Sequence, residues 1–199
     1  MTCSRKQLRQ KMRLERRRLS QRDQRLHAQL LSKQIRYKTW FRHAKNIAIY
    51  LPSDGEICTE PLINLCWKLK KNVYLPVLHP VRNNCLWFIP FAPNTPLRVN
   101  RYKIREPKII HSPKKPVWAL DLVFLPLVAF DSNGGRLGMG GGYYDRSFSF
   151  KLNKKGIKGP KLVGLAHAFQ QVDKLIIEDW DIPLAGVATE QKTLCFSHY

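Results

Sequence analysis

Apolar side chains in the first forty residues recur at the spacing of a helix face. A serine precedes each half of this stretch and is followed three residues later by a polar partner: Ser4 by Gln7, and Ser20 by Asp23. This is the pattern of helix N-caps. We therefore predict two amphipathic helices. The apolar positions that define them are Leu8, Met12, Leu19, Leu26, Leu30, Leu31 and Ile35.

Beyond residue 45 the pattern changes to short, nearly continuous apolar runs, which are typical of strands buried on both faces. The runs cover residues 46–51, 72–78, 86–91, 120–127, 161–166 and, as the last strand, 185–189. Two helices are predicted between them, one opened by Thr59-Glu60-Pro61 and reaching residue 70, the other over residues 141–152. The proline-rich residues 92–118 predict a long connection with room for one short strand.

Strands that alternate with helices predict an α/β fold of three layers, with a mostly parallel central sheet flanked by helices and with basic helices at the N-terminus. In such sheets the ligand lies at the C-terminal ends of the strands. A length of 199 residues suits one domain. We therefore predict a single domain over residues 1–199.

The composition is that of an ordinary globular protein, with 44% apolar and 25% charged residues. It excludes a collagen, a coiled coil and a wholly disordered chain. The longest apolar run, residues 122–130, is broken by Pro126 and is far shorter than the roughly 20 residues of a membrane-spanning helix. The N-terminus lacks the apolar stretch of a secretory signal. We expect a cytoplasmic protein without a membrane segment.

Positive charge is the unusual feature of the composition: 35 basic residues against 14 acidic ones give a net charge of +21. Residues 1–40 hold thirteen basic residues against only Glu15 and Asp23. Such a stretch is compatible with a nucleic-acid contact surface, a funnel for anionic small molecules, or a solvated helix surface. Charge alone favours the last of these three, the solvated helix surface.

Residues 131–145, DSNGGRLGMGGGYYD, contain six glycines and directly follow an apolar strand. Glycine allows backbone N–H groups to converge on one anion, and Arg136 adds a guanidinium suited to phosphate oxygens. Asp145 lies about one turn into the predicted helix, where a carboxylate can hold Mg²⁺ beside a phosphate. The segment is not a Walker A loop, since no Gly-Lys-Ser/Thr follows. The alternative is a flexible surface turn.

Two further acidic segments are candidates. Asp54 and Glu56 follow the first strand, where a carboxylate can orient a nucleophilic nitrogen, although an Asp-Gly turn before a helix is also commonplace. Asp179-Trp180-Asp181 can supply a second metal ligand or form a capped surface turn. The six histidines show no paired spacing, the five cysteines no C-x-x-C, and no G-x-S-x-G is present. Zinc hydrolysis, disulfide frameworks and serine-nucleophile chemistry therefore lack support.

Taken together, these segments resemble the 5-formyltetrahydrofolate cyclo-ligase family, also called 5,10-methenyltetrahydrofolate synthetases. The likeness runs over nearly the whole chain, and the glycine-rich block is its most specific part. The segments that carry it are RKQLR from Arg5, DGEICT from Asp54, NVYLP from Asn72, PLVAFD from Pro126, RLGMGGGYYDR from Arg136, and Trp180-Asp181.

The resemblance implies an ATP-dependent ring closure. ATP phosphorylates the formyl oxygen of 5-formyltetrahydrofolate, N10 attacks the activated carbon, and 5,10-methenyltetrahydrofolate forms with ADP and phosphate. ATP is the implied co-substrate, Mg²⁺ the implied cofactor, and the folate, with or without a polyglutamate tail, the implied substrate. We expect a monomer.

The resemblance also assigns residues by position. The expected ATP contacts are Arg5, Lys6, Gln7, Leu8 and Arg9 together with Arg136, Leu137, Gly138, Met139, Gly140, Gly141, Gly142, Tyr143 and Tyr144. The expected folate contacts are Leu51, Glu56, Met139, Gly140, Gly141, Gly142 and Tyr143. Asp145 and Asp181 are the expected Mg²⁺ ligands, and Glu56, Arg136 and Tyr144 the expected catalytic residues. Members often carry Lys at the position of Arg5, so either Arg5 or the adjacent Lys6 is expected to reach phosphate.

A nucleic-acid-binding protein with a basic helical arm is the alternative from another class. It would grip phosphates with the Arg/Lys helix and stack bases on Tyr143 and Tyr144. Such a protein gains nothing from a carboxylate at the anion site, whereas Mg-ATP does. No RNP-type aromatic motif or helix-turn-helix spacing is evident.

Overall fold

A computed structural model describes residues 4–108, 113–152 and 159–196. Its helices are α1 (Arg5–Arg18), α2 (Gln21–Arg36), α3 (Thr39–His43), α4 (Glu60–Lys68) and α5 (Tyr143–Ser147). Its strands are β1 (Asn46–Ala48), β2 (Asn72–Leu78), β3 (Leu86–Pro90), β4 (Leu97–Val99), β5 (Arg105–Pro107), β6 (Leu122–Pro126), β7 (Ala129–Phe130), β8 (Arg136–Leu137), β9 (Lys161–Leu165), β10 (Gly186–Ala188) and β11 (Thr193–Cys195). Single turns of 3-10 helix lie at Val117–Ala119, Ser149–Leu152 and Ala168–Gln170.

Seven strands form one sheet in the order β11-β10-β9-β6-β1-β2-β3. The five inner strands are parallel, and β3 and β11 pair antiparallel at the two edges. The predicted α/β fold with a mostly parallel sheet is therefore confirmed. The chain leaves β1 toward β2 on one side, whereas β6 and β9 lie on the other, so strand order reverses between β1 and β6. Ligands bind at such a switch point, beyond the carboxyl ends of the strands.

Both faces of the sheet are buried, as the continuous apolar runs predict. Alternate residues serve opposite faces: Ile47 and Phe124 pack beneath α2, α3 and α4, whereas Ala48 and Val123 belong to a second cluster on the other face. That second cluster is covered by α5 and by irregular chain, including Phe148, rather than by a long helix.

The N-terminal helices begin at the predicted caps. Ser4 and Gln7 form a reciprocal capping box on α1, and the Ser20 hydroxyl accepts from the Asp23 N–H on α2. The predicted helix over residues 141–152 is instead split. It ends at Ser147 because Phe148 leaves the helical conformation and buries its ring against Phe88, with ring centroids 5.7 Å apart.

Two hairpins, one helix and one strand differ from the prediction. The connection over residues 92–118 contains the hairpin β4–β5, and the glycine-rich block opens with the hairpin β7–β8. Helix α3 and the edge strand β11, which follows the strand predicted to be last, were not predicted. Among the described residues, no helix has the length and apolar content needed to cross a membrane.

Candidate active site

A cavity of about 1030 Å³ lies at the carboxyl ends of β1 and β6, where the strand order reverses. Single-ligand pockets usually measure roughly 300–1,000 Å³, so this cavity lies at the upper end of that range. Helix α1, the turn after β1, the β4–β5 hairpin, the glycine-rich block and the segment before β10 all contribute to its wall. Representative lining residues are Arg9, Leu51, Glu56, Tyr102, Gly140 and Asp181.

One face of α1 lines the cavity with arginines. Arg5, Arg9, Arg13 and Arg16 follow one another at intervals of four, four and three residues, which places them on the same side of a helix. Arg5 and Arg9 were predicted for the site from the sequence and Arg13 and Arg16 were not, although their helical spacing is the signal that reveals them. Four cationic side chains make this wall suited to polyanionic ligands.

Asp54 anchors α1 to the turn after β1. Its carboxylate accepts from Arg13 Nε at 2.6 Å and from Arg16 Nη2 at 3.1 Å, and it also pairs with Arg17. Burial works to raise the pKa of Asp54, but the hydrogen bonds from Arg13 and Arg17 outweigh it and hold the pKa below its usual value. Asp54 is therefore an ionised structural anchor.

Glu56, two residues away, has the opposite environment. Its carboxylate accepts from the Ser53 N–H at 3.0 Å, and its distance to Arg16 Nη1 is 3.9 Å. Burial raises the pKa of Glu56 to about 7, and the contacts with Ser53 and Arg16 offset only part of this effect. At neutral pH a carboxyl group with this pKa can both accept and release a proton.

Tyr144 faces Glu56 from α5. Burial, and then the negative charge of Glu56, raise the pKa of the Tyr144 phenol. The same two causes raise the pKa of Tyr50, which follows β1 and donates to the Ile57 carbonyl at 3.3 Å. Both phenols therefore stay protonated at neutral pH. Tyr144 can act as a hydrogen-bond donor toward a substrate oxygen, whereas the single O–H of Tyr50 is already donated to the Ile57 carbonyl.

The glycine-rich block curves around the cavity where two of its three positive-φ glycines lie. Gly140 has φ +94° and Gly142, the residue before α5, has φ +65°. Arg9 Nε donates to the Gly138 carbonyl at 2.8 Å and so connects α1 to the block. The block starts from a rigid base, since Asp131 accepts from the N–H groups of Gly135 and Leu175 at 2.8 and 2.9 Å.

Arg136 and Asp145, for which the sequence suggested separate roles, contact each other. The buried Arg136 guanidinium pairs with the Asp145 carboxylate and also donates to the Ile182 carbonyl. Asp145 Oδ1 accepts from the Ile182 N–H at 3.3 Å as well. Arg136 therefore holds Asp145 and the segment around Ile182 in place at the cavity wall.

Asp181 lines the same cavity and closes a turn. Its Oδ2 accepts from the Glu178 N–H at 3.0 Å and lies 3.7 Å from Arg5 Nη2. The segment therefore forms the capped turn that the sequence suggested, and it also places the carboxylate of Asp181 at the cavity. Asp145 Oδ2 and Asp181 Oδ1 make no hydrogen bond with the described part of the chain, so each carboxylate keeps an oxygen of the type that Mg²⁺ prefers. This donor set fits a magnesium ion.

The turn of the β4–β5 hairpin reaches the glycine-rich block. Tyr102 and Tyr143 share a hydrogen bond between their hydroxyl groups at 2.6 Å, and Arg101 Nη2 donates to the Tyr143 hydroxyl at 3.0 Å. Arg101 and Tyr102 were missed because they lie in the long connection, far from any motif. Nothing in the local sequence indicates that this turn folds over the site.

Most of the residues predicted for the site line the cavity, and four do not. Arg5 lines it, whereas Lys6 is exposed beside it. Gln7 is occupied by the capping box. Leu8 and the buried Leu137 pack with the cluster around Met12 beneath the site. These four residues could contact ATP only through their backbone atoms or after a change in their side-chain conformation.

Comparison with known proteins agrees with this architecture. The sequence model of the 5-formyltetrahydrofolate cyclo-ligase family matches residues 1–190. The chain is 49% identical to the 5-formyltetrahydrofolate cyclo-ligase of Haemophilus influenzae over 146 residues, which is 73% of this chain and 76% of that protein. It is 46% identical to the enzyme of the same name from Escherichia coli K12, over 75% of this chain and 80% of that protein.

Solved structures give the same result at the level of the fold. The NMR structure of the Aquifex aeolicus 5,10-methenyltetrahydrofolate synthetase superposes with a TM-score of 0.79 at 30% identity and covers 98% of this chain and 94% of that one. A 5,10-methenyltetrahydrofolate synthetase from Mycoplasma pneumoniae, 22% identical, shares the fold with a TM-score of 0.71. The resemblance seen in the sequence is therefore confirmed, and the chain belongs to the 5-formyltetrahydrofolate cyclo-ligase family.

Proposed function

We propose that this protein is the enzyme that converts 5-formyltetrahydrofolate to 5,10-methenyltetrahydrofolate at the expense of ATP. The formyl oxygen attacks the γ-phosphorus of ATP, and ADP leaves. N10 of the folate then attacks the formyl carbon and loses its proton, and the carbon–oxygen bond breaks to release phosphate. Phosphorylation is needed because an amide-like oxygen is otherwise a poor leaving group.

The glycine-rich block and the arginines of α1 are the groups that we expect to bind the phosphates of ATP. Gly140 and Gly142 let the backbone approach an anion closely, and Arg5 and Arg9 face the same space. Phosphoryl transfer depends mainly on in-line positioning and on neutralising the charge that develops on the phosphate oxygens. Guanidinium groups fixed on a helix can do both.

The carboxyl group of Glu56 suits the ring-closing step. N10 becomes positively charged as it attacks the formyl carbon, and a carboxylate nearby can stabilise this charge and accept the proton. A group with a pKa of about 7 is half ionised at neutral pH and is therefore well matched to that transfer. We assign Glu56 as the base, and Tyr144 as a donor toward the substrate oxygen.

We assign Mg²⁺, the usual partner of ATP, to Asp145 and Asp181. When bound, the ion would neutralise charge on the phosphates and fix their position. Arg136 contributes by keeping the Asp145 carboxylate oriented. This role differs from the direct phosphate contact expected from the sequence.

One observation supports the proposal most strongly: a largely buried carboxyl group with a raised pKa and a glycine-rich loop beside two arginines line one cavity of about 1030 Å³. A protein that only grips nucleic acid has no use for Glu56 in that position.

The test is formation of the methenyl product, followed by absorbance, on mixing the protein with Mg-ATP and 5-formyltetrahydrofolate. We expect turnover by the wild-type chain and a loss of about 10²-fold or more in Glu56→Gln, the scale of one positioned acid–base group. Glu60→Gln is the matched control because Glu60 is exposed at the start of α4. The assignment of Glu56 fails if both variants turn over like the wild type. A wild-type chain that forms no product but binds nucleic acid in a filter assay would overturn the proposed function.

A further inference from the structure

A second cluster of titratable side chains lies behind the active-site turn and has no part in the chemistry above. It consists of His27 on α2, His167 after β9 and Glu190 after β10. One nitrogen or oxygen from each residue lies within 4.8 Å of the others. His167 and Glu190 are buried and His27 is half-buried.

The two histidines face each other through the same ring atom. His27 Nδ1 lies 2.9 Å from His167 Nδ1 and 4.0 Å from Glu190 Oε1. In a tetrahedral zinc site with bonds of about 2.0–2.1 Å, ligand atoms stand roughly 3.3 Å apart. The three atoms therefore reach a common ion after shifts of less than about 1 Å.

The hydrogen bonds of His167 place a lone pair on Nδ1. His167 Nε2 is 3.2 Å from the Gly55 carbonyl, an acceptor, so Nε2 carries the proton and Nδ1 carries the lone pair. His27 Nδ1, 2.9 Å away, donates its proton to this lone pair, and binding of an ion between the two rings would release that proton. A ring N–H donated to a backbone carbonyl is the support that metal-binding histidines usually have.

Glu190 accepts from the Ala168 N–H with both carboxylate oxygens, at 3.2 and 3.0 Å, whereas Gln24 is only partly satisfied. Gln24, one turn before His27 on α2, donates from Nε2 to the same Gly55 carbonyl at 3.1 Å. Its Oε1 is buried and has no hydrogen-bond partner among the described residues. The nearby guanidinium of Arg16 pairs with Asp54, which Arg13 and Arg17 also contact.

We propose that His27, His167 and Glu190 form a binding site for a divalent transition-metal ion such as Zn²⁺, with water as the remaining ligand. Two imidazoles and one carboxylate are ligands that suit this class of ion, whereas Mg²⁺ prefers oxygen. The site is separate from the Asp145–Asp181 pair. It would tie α2 to the ends of β9 and β10, and through Gly55 to the turn that carries Asp54 and Glu56.

The test is a Co²⁺ titration of the chain, purified without a histidine tag, freed of metal by a chelator, and studied without ATP or folate. We expect one Co²⁺ per chain with the visible absorption bands of a four-coordinate ion, displaced by Zn²⁺. His27→Ala and Glu190→Gln should each weaken Co²⁺ binding by at least tenfold, on the scale of damage to a metal's ligand environment. His43→Ala, which removes an exposed histidine on α3, should bind like the wild type.

Melting curves of the metal-free variants check that each is folded, and Zn²⁺ should raise the melting temperature of the wild type but not of His27→Ala. The proposal is overturned if the wild type takes up no Co²⁺, if both variants bind it as tightly as the wild type, or if thiolate charge-transfer bands show that cysteines hold the ion. Because no folate or ATP is present, these outcomes are independent of the proposed ring closure.

Discussion

Asp54 and Glu56 share one short turn but differ in charge state because different numbers of arginines reach them. Three guanidinium groups contact Asp54, whereas in the described part of the chain the guanidinium within 4 Å of Glu56 is that of Arg16, at 3.9 Å. One carboxylate is used to build the site, and the other keeps a proton near neutrality. The difference in pKa makes Asp54 a structural contact of α1 and leaves Glu56 as the carboxyl group suited to the proposed proton transfer.

The raised pKa of Glu56 makes a prediction about stability. A carboxyl group whose pKa is about 7 when folded and ordinary when unfolded binds its proton more tightly in the folded state. The free energy of unfolding should therefore fall as pH rises from about 4.5 through 7, by roughly 1–3 kcal/mol relative to Glu56→Gln. Urea unfolding of both proteins at pH 5 and pH 8 measures this difference. Parallel pH profiles would show that Glu56 titrates normally.

We predict that activity depends on the negative charge of Asp145 more than on the shape of its side chain. Asp145→Asn keeps an oxygen that can accept from the Ile182 N–H, so we expect a loss of stability of about 1–2 kcal/mol from the weakened Arg136 contact. Turnover should fall much further, and the Mg²⁺ concentration needed for half-maximal rate should rise. Activity measured against Mg²⁺ decides this, and normal turnover at limiting Mg²⁺ would remove Asp145 from the metal site.

At the scale of elements, α1 is the part of the fold that assembles the site. Its arginines contact Asp54, the Gly138 carbonyl and, through the buried Arg16, the Leu127 carbonyl after β6 at 3.4 Å. The helix thus connects the ends of β1 and β6 with the glycine-rich block. Its high positive charge is not only a solvated surface, since four of its arginines face the cavity.

Docking of α1 requires glycine at position 55. Gly55 has φ +72°, and a Cβ there would lie 2.8 Å from the backbone carbon and oxygen of Arg16. Gly55→Ala should therefore lower the free energy of unfolding by more than about 1 kcal/mol, through backbone strain plus displacement of α1. Chemical denaturation measures it, with Gly138→Ala as the control, since a Cβ at Gly138 meets nothing within 4 Å. Equal stability of the two variants would contradict the close packing of α1 on this turn.

The elements that could be predicted from the sequence are those with a local cause. Serine caps, buried apolar runs and the concentration of glycines after β6 act within a few residues of one another, and they gave α1, α2 and the inner strands. Strand β11 and the β4–β5 hairpin could not be predicted, since their segments LRV, REP and TLC contain no continuous apolar run and each strand is held by its pairing partner.

On the scale of the whole molecule, the fold brings together groups whose proximity no sequence spacing reveals. Arg16 and Leu127 are 111 residues apart, and His27 and His167 are 140 apart. The candidate site could be predicted where a motif carries it, as in the glycine-rich block. It could not be predicted where a contact with a distant residue places the side chain at the site, as for Arg101 and Tyr102 beside Tyr143.

The net charge of +21 also acts on this scale. ATP and folate are both anions, and a cavity walled by arginines raises their local concentration and their rate of encounter. This attraction is screened by salt, whereas the ring closure itself takes place among buried groups. In the proposed function, the net charge favours capture of the substrates, whereas the chemistry depends on Glu56 and the glycine-rich block.

In the proposed function, one cavity couples ATP cleavage to folate ring closure. This coupling is tested by the ratio of ADP to 5,10-methenyltetrahydrofolate formed by the wild-type chain, with each substrate omitted in turn. We expect one ADP per methenyl product, no ADP without 5-formyltetrahydrofolate, and no methenyl product without ATP. Cleavage of ATP in the absence of folate at the same rate, or ring closure in the absence of ATP, would contradict it.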